Sequence, residues 1–340
     1  MVTKRTKRPG LALGILAALL LAAIILSFLL GRYPVPPKEL VGILLQRIFP
    51  AIRPFWADTM ETVVFNIRVP RILLACLVGC CLSAAGASYQ GVFQNPMAAP
   101  DILGATSGAA FGAALAILLG AGSRLITLSA FVFSLLTVVL VYLISKVARG
   151  KRVLTLVLAG IMVASLFNAG VSYIKLVADP SDQLPAITYW LMGSLSGATK
   201  KDVAFVCAPM AIGLLPLFAL RWRMNVLTLG DDEAHSIGVN AGRIRLIVML
   251  CSTLVTAASV SVTGMIGWVG LVIPHLTRKL VGNDYRYLMP GSMLFGALFL
   301  LAVDDVSRNL LAVEIPIGIL TAFIGAPFFL WLITRKGDTF

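Results

Sequence analysis

The chain has 340 residues, 59% of them hydrophobic and only 13% charged, with a formal net charge of +13. A spanning helix takes about 20 apolar residues, so the length holds about ten spans with short connections and excludes a sizeable soluble domain. The positive charge is spread over the ends of apolar runs and not gathered on one soluble face, which fits membrane topology and argues against a nucleic-acid partner.

In chain order, Lys4, Arg5, Lys7 and Arg8 precede the apolar run Leu11–Leu30. That run is too long for the core of a cleaved signal and no small-x-small site follows it, so it reads as a first span with its basic end in the cytoplasm. Further spans are expected over 72–91, 102–120, 125–145, 153–174, 203–220, 246–263, 265–282, 287–303 and 316–333. Ten spans put both termini on one side. Most of the 28 basic residues then fall on the cytoplasmic ends, and the long segment Gly31–Arg71 lies outside. The expected fold is all-α, a single polytopic transmembrane domain over 1–340.

Within the spans, Gly104, Gly108, Gly112, Ala116 and Gly120 form a ladder of small residues at a four-residue repeat, and Ala75, Gly79, Ser83 and Gly86 form a similar stripe. Both predict close helix packing in lipid. Ser165, Asn168, Ser172 and Lys175 share one helical face; a polar stripe is costly against lipid, so it should face protein or a water-filled path. Ser252, Thr256, Ser259 and Thr263 make a comparable face, but hydroxyls can bond back to their own helix. A faint echo relates Ser83, Gly86 and Pro96 to Ser261, Gly264 and Pro274, and on the expected topology the two segments run in opposite directions, as inverted repeats do.

The densest acidic cluster, Asp231, Asp232 and Glu233, lies in L-T-L-G-D-D-E-A-H-S-I-G-V-N (Leu227–Asn240), between basic pairs Arg221/Arg223 and Arg243/Arg245. Gly230 and Gly238 read as helix stops and Asp231 as a cap, so two short helices are expected, about Met224–Leu229 and Asp232–Ile237. Apolar Leu227, Leu229, Ala234 and Ile237 give this pair an underside. It reads as a docking element for another protein in preference to a solvated loop.

Several chemistries lack their residues. No glycine-rich loop ending in Lys-Ser or Lys-Thr is present, so the chain should not hydrolyse ATP. His235 and His275, the only histidines, have no second ligand at metal spacing, and the five cysteines fall in apolar runs, so no metal site, disulfide framework or cofactor is expected. Asp304 and Asp305 are matched by Arg308 one turn on, a local ion pair in place of a proton relay. An ion-coupled secondary carrier or an intramembrane enzyme therefore has little to rest on.

Several segments carry a resemblance. They are R-V-P-R (Arg68–Arg71), Q-N-P-M-A-A-P-D-I-L-G-A-T-S-G-A (Gln94–Ala109), W-L-M-G-S-L (Trp190–Leu195), L-G-D-D-E-A-H-S-I-G-V-N (Leu229–Asn240), G-W-V-G-L-V-I-P-H-L-T-R (Gly267–Arg278) and E-I-P-I-G-I-L-T-A-F-I-G-A-P-F-F (Glu314–Phe329). In this order they resemble the permease subunits of metal-chelate ABC importers, which carry iron-siderophores, haem or vitamin B12. The resemblance implies ten spans in a prokaryotic cytoplasmic membrane, a second permease copy or homologue, two ATPase subunits and an extracytoplasmic binding protein. It makes about 224–240 the coupling helices, with Leu229, Gly230, Asp231, Asp232, Glu233, Ala234, His235 and Gly238 on the ATPase. It places Asn95 and Met97, with the Val153–Leu154 turn, at a cytoplasmic gate; the B12 branch often has polar residues where this chain has Val153 and Leu154. It puts Ser165, Asn168 and Ser172 along the path, and Arg68, Arg71 and Arg308 against acids of the binding protein. An iron complex ranks first as cargo, with molybdate or tungstate as the alternative.

Overall fold

The computed structural model describes residues 9–50, 54–148, 152–228, 230–236 and 238–334. Among these the chain is all helix and loop. Each expected span has its helix: α1 (Pro9–Leu29), α4 (Val69–Val92), α5 (Ala105–Leu118), α6 (Ser123–Val147), α7 (Arg152–Val177), α9 (Lys200–Ala219), α12 (Ala241–Thr263), α13 (Val269–Val281), α14 (Tyr285–Asn309) and α15 (Ile317–Thr334). Seven of the helical stretches are long and apolar enough to cross a membrane by length and composition; α5 and α15 are shorter apolar helices. The helix α13 has 13 residues and starts from the irregular turn Gly264–Trp268, where Trp268 has φ 69°.

Five short helices complete the chain: α2 (Pro37–Gln46), α3 (Asp58–Thr62), α8 (Gln183–Met192), α10 (Arg221–Leu227) and α11 (Asp231–Ser236). The segment Gly31–Arg71, expected as one outer stretch, contains α2 and α3, and α8 lies between α7 and α9. The helix α3 continues through a π-helical turn, Val63–Arg68, directly into α4. Against the two short helices that the sequence predicts, α10 starts three residues earlier and α11 one residue earlier. The Gly230 carbonyl accepts from Ala234 N at 3.1 Å, so Gly230 and not Asp231 holds the N-cap position. Gly230 and Gly238 both have positive φ, as helix stops require.

The centre of the bundle is α4, packed on α12, α13 and α14. Its small residues permit backbone-to-backbone crossings: a Cβ on Gly79 would lie 2.2 Å from the Gly296 carbonyl oxygen, and one on Gly86 would lie 1.8 Å from that of Gly270. Close approach of this kind is how helices associate where lipid removes the hydrophobic drive. The second ladder divides its work. Gly108 and Gly112 press on the α6 backbone at Phe133 and Ser129, whereas Gly104 and Gly120 adopt left-handed φ at the two ends of α5. The echo finds no matched geometry: Gly86 is a mid-helix crossing and Pro96 a loop residue, but Gly264 ends α12 and Pro274 is inside α13.

Candidate functional site

At one end of the bundle the α10–α11 segment lies across the ends of α4, α9, α12 and α14. Its underside is apolar: Met224, Val226, Leu227 and Ala234 are buried. Polar pins hold it in place. Gln94 Nε2 donates to Leu227 O at 2.7 Å, linking the segment to the loop after α4. Asn225 Nδ2 donates to Asp284 Oδ1 at 2.8 Å, and Asn225 Oδ1 accepts from Tyr285 N at 2.8 Å. Asp284 caps α14 and binds Arg286, whose hydrogen bonds hold the carboxyl down at about 2. Tyr285 then donates from its hydroxyl to Ala87 O in α4 at 3.0 Å. Sequence reasoning missed Asn225 and Asp284, because an Asn in a basic, apolar stretch has no periodic signature. Glu233 and Ser236 are exposed on the opposite side of the pair. Leu229 lies outside the described residues, and for Asp231, Asp232 and His235 only the backbone, within α11, is described. A two-helix element seated on four helix ends and pinned to two of them can pass a push into the bundle as a unit.

The other end holds the three arginines that the resemblance sets against a binding protein. Rim charges free to meet a partner should be exposed; Arg68, Arg71 and Arg308 are 3%, 5% and 6% exposed. Arg71 Nε donates to both Asp304 oxygens at 3.0 and 3.1 Å, while Nη1 and Nη2 bind Glu314 at 3.0 and 2.9 Å. Arg308 pairs with Asp305, with the Asp304 carboxylate 3.9 Å away, and donates to Ser27 O and Oγ in α1. Arg68 donates to the Phe28 and Tyr33 carbonyls. The cluster ties α1, α4, α14 and the loop before α15 together, with three basic groups against three acids. The local pairing read from Asp304, Asp305 and Arg308 is present; Arg71 and Glu314, 243 residues apart, join it only through the fold.

Between the two ends, α7 packs on α5 and α6 and leaves Ser165, Asn168 and Ser172 exposed on this chain's surface. Ser165 Oγ donates to Ile161 O at 2.8 Å and Ser172 Oγ to Asn168 O at 3.0 Å, so both hydroxyls bond back to their own helix. The Thr256, Ser259 and Thr263 hydroxyls of α12 do the same. Asn95 and Met97 form an exposed turn after α4, closed by Met97 N donating to Asn95 Oδ1 at 2.8 Å. Leu154, near the start of α7, is exposed too. A cavity of about 650 Å³ between α8, the Met265–Trp268 turn and α15 is lined by apolar groups, including Met192, Trp268 and Phe323. Among the described residues no group of three or more His, Cys, Asp or Glu could hold a metal ion.

Comparison with known proteins matches this arrangement. A model of the FecCD transport family covers residues 19–335. The molybdate import system permease protein MolB of Haemophilus influenzae is 39% identical over 329 residues, 94% of each chain. The hemin transport system permease protein HmuU of Yersinia pestis is 40% identical over 291 residues, 83% of this chain and 86% of that one. A solved structure described as a metal-chelate type ABC transporter in an inward-facing conformation superimposes with a TM-score of 0.85, at 38% identity over 94% of this chain and 98% of that one. With the family model spanning nearly the whole chain and the fold matched end to end, the chain belongs to the FecCD transport family and is a multi-pass membrane permease of the ABC importer type.

Proposed function

We propose that this chain moves a metal chelate across the prokaryotic cytoplasmic membrane as one of two permease subunits around a shared path, with an iron complex as cargo. Both termini lie in the cytoplasm, one of the transporter's two ATPase subunits seats on this chain's α10–α11, and a binding protein docks at the Arg71 end. The observation that carries the reading is the build of α10–α11: an apolar underside pinned to α4 and α14, with Glu233 left exposed on the outer side. That is how a docking element must be made if force from a partner is to reach the spans. The exposed α7 face with Ser165, Asn168 and Ser172 serves as path lining toward the second copy, and Asn95 and Met97 as part of the inner gate. Arg68, Arg71 and Arg308 act in docking by fixing the shape of the outer rim, since their guanidinium groups are committed inside the chain.

The neutral Ser165, Asn168 and Ser172 side chains on the α7 face suit a bulky chelate, with Lys175 on the same face as its one charged member. A small oxyanion stripped of water needs several donors or a cation, and Lys175 on that face supplies a cation to the second reading. The second reading, molybdate or tungstate, is favoured by the relative named for molybdate import that matches 94% of this chain. The test is uptake into proteoliposomes holding this chain, its ATPase and its binding protein, with labelled hemin, a ferric siderophore and molybdate offered in parallel. ATP-dependent uptake of a chelate is the expected result. Uptake driven by an ion gradient without the ATPase overturns the reading, and uptake of molybdate alone moves the cargo to the second.

A further inference from the structure

A second cavity, of about 360 Å³, lies between α6, α7 and α12, away from the α7 face and the Trp268 cavity. Its lining is Leu103, Leu135, Val138, Val139, Tyr142, Leu156, Leu246, Met249, Leu250 and Thr253, of which Leu103, Leu156 and Met249 form the buried floor. Val139 and Leu250 are 48% and 54% exposed, so the cavity opens sideways between α6 and α12, where a membrane protein meets hydrocarbon. It gives water little to bind. The Thr253 hydroxyl is already paired with that of Tyr89 at 2.9 Å, and the one other polar group in the lining is the phenol of Tyr142. Apolar cavities of this kind stay dry and take apolar guests.

Ala130 of α6 shares a buried cluster with Val260 of α12, while Tyr142 and Leu246 both line the slot, so the two helices run antiparallel and the slot takes up about 10 Å of helix axis from Thr253 to Leu246. One turn beyond Tyr142 on α6 is Lys146, and one turn before Leu246 on α12 is Arg243; both are exposed. Lys146 Nζ lies 5.3 Å from the centre of the Tyr142 ring. A tyrosine with basic neighbours marks the level of the lipid headgroups. Apolar slot, aromatic rim and paired positive charges therefore stand in the order in which a phospholipid presents its tail, glycerol backbone and phosphate.

We propose that this cavity is a binding site for an anionic membrane phospholipid, with one acyl chain in the slot and the headgroup phosphate at Lys146 and Arg243. The site adjoins the α10–α11 segment, because α12 follows α11 after four residues; the lipid braces the helix that receives the segment's motion. The charge sets the class: two basic residues near the surface favour an anionic over a zwitterionic headgroup by about tenfold or more.

The test uses the full-length protein in detergent, depleted of lipid and titrated with phosphatidylglycerol or phosphatidylcholine of identical chains, with bound lipid counted by native mass spectrometry. One phosphatidylglycerol per chain is expected, displaced about tenfold less readily than phosphatidylcholine, with no binding of free glycerol phosphate. Val139→Trp and Leu250→Trp, which fill the slot from its exposed side, should lose that lipid. Lys146→Gln with Arg243→Gln should keep a lipid but lose the headgroup preference. Equal affinity of the parent for both lipids, or retention of the lipid by both tryptophan variants, overturns the proposal. So does disulfide crosslinking of two copies through Val139→Cys, which would assign the face to protein.

Discussion

Replacing Arg71 by Met tests whether the buried ion cluster clamps the bundle. Asp304 is fully buried and Arg71 nearly so, and the guanidinium makes four hydrogen bonds to two carboxylates. Removing one partner of a buried pair costs about 3–5 kcal/mol because the other charge stays behind without compensation. Two features put the loss near the lower figure. Arg308 remains 3.9 Å from Asp304, and the Glu314 side chain, 24% exposed, can be rehydrated. About 3 kcal/mol corresponds to a fall in melting temperature of about 6 °C, at roughly 2 °C per kcal/mol for a large domain. Adding Asp304→Leu to Arg71→Met removes the orphaned charge and should recover at least about 2 kcal/mol, a coupling that distant sites do not show. The assay is thermal unfolding of purified parent, single and double variants in one detergent at one scan rate. A single variant that melts within about 1 °C of the parent, or a double variant whose loss is the sum of the singles, refutes the clamp.

Gly86→Val should fail to yield folded protein, because the new Cβ would meet the Gly270 carbonyl at 1.8 Å, backbone against backbone; normal yield and melting would refute the crossing. Cysteines at Ser165, Asn168 and Ser172, in a background without the native five, should react with small water-soluble thiol reagents, while one at Val171, 7% exposed, should stay protected. Leu166 is 71% exposed on this chain, so its labelling separates water from lipid: strong labelling of Leu166→Cys would deny that the stripe alone is wet. Asn225→Leu removes the pins to Asp284 and Tyr285 and should cut ATP-coupled uptake several-fold with basal ATPase retained; unchanged uptake would free the segment from that role. Asp284 lies outside the spans and its folded value is depressed to about 2 from 3.8. Its pin is therefore complete above about pH 4 and is lost only as pH falls toward 2, so uptake at neutral pH should not report its titration.

The spans were legible because apolar length is a direct physical requirement of the bilayer. The α10–α11 pair was legible because Gly230 and Gly238 punctuate an acidic stretch that no span could contain. The helices α2, α3 and α8 escaped: they are only five to ten residues long, and their helical state is set by where the chain is held. At the site, the back-bonding of Ser165 and Ser172 follows the rule that explains α12, and the sequence reading applied that rule to one helix only. The arginines show a different limit. Charge position along a chain says nothing about partners 233 and 243 residues away, so Arg71 reads as free until Asp304 and Glu314 are brought to it.

The packing also says which helices are built to stay and which to move. Around α4 the contacts are made backbone to backbone at Gly79 and Gly86, and the arginine cluster and the Tyr285 hydroxyl bind its two ends. Such crossings have no slack, since sliding by a fraction of a helical turn brings carbonyls into collision. The helix α7 rests chiefly on α5 and α6. The contacts of α15 are with α8, α13 and α14, where Lys279 lies over the Phe328 and Trp331 rings at 5.9 and 5.0 Å. Each also has one close backbone approach, Gly160 to the Ile102 carbonyl and Gly318 to the Met192 carbonyl, both made to short segments and not to a second long helix as at α4. On the proposed coupling role, a push entering at α10–α11 would reach α4 and α14 through Gln94, Asn225 and Tyr285, so this unit would receive it first. On the proposed function the relative motion falls on α7, which packs on α5 and α6 outside that unit and carries the Ser165, Asn168 and Ser172 face.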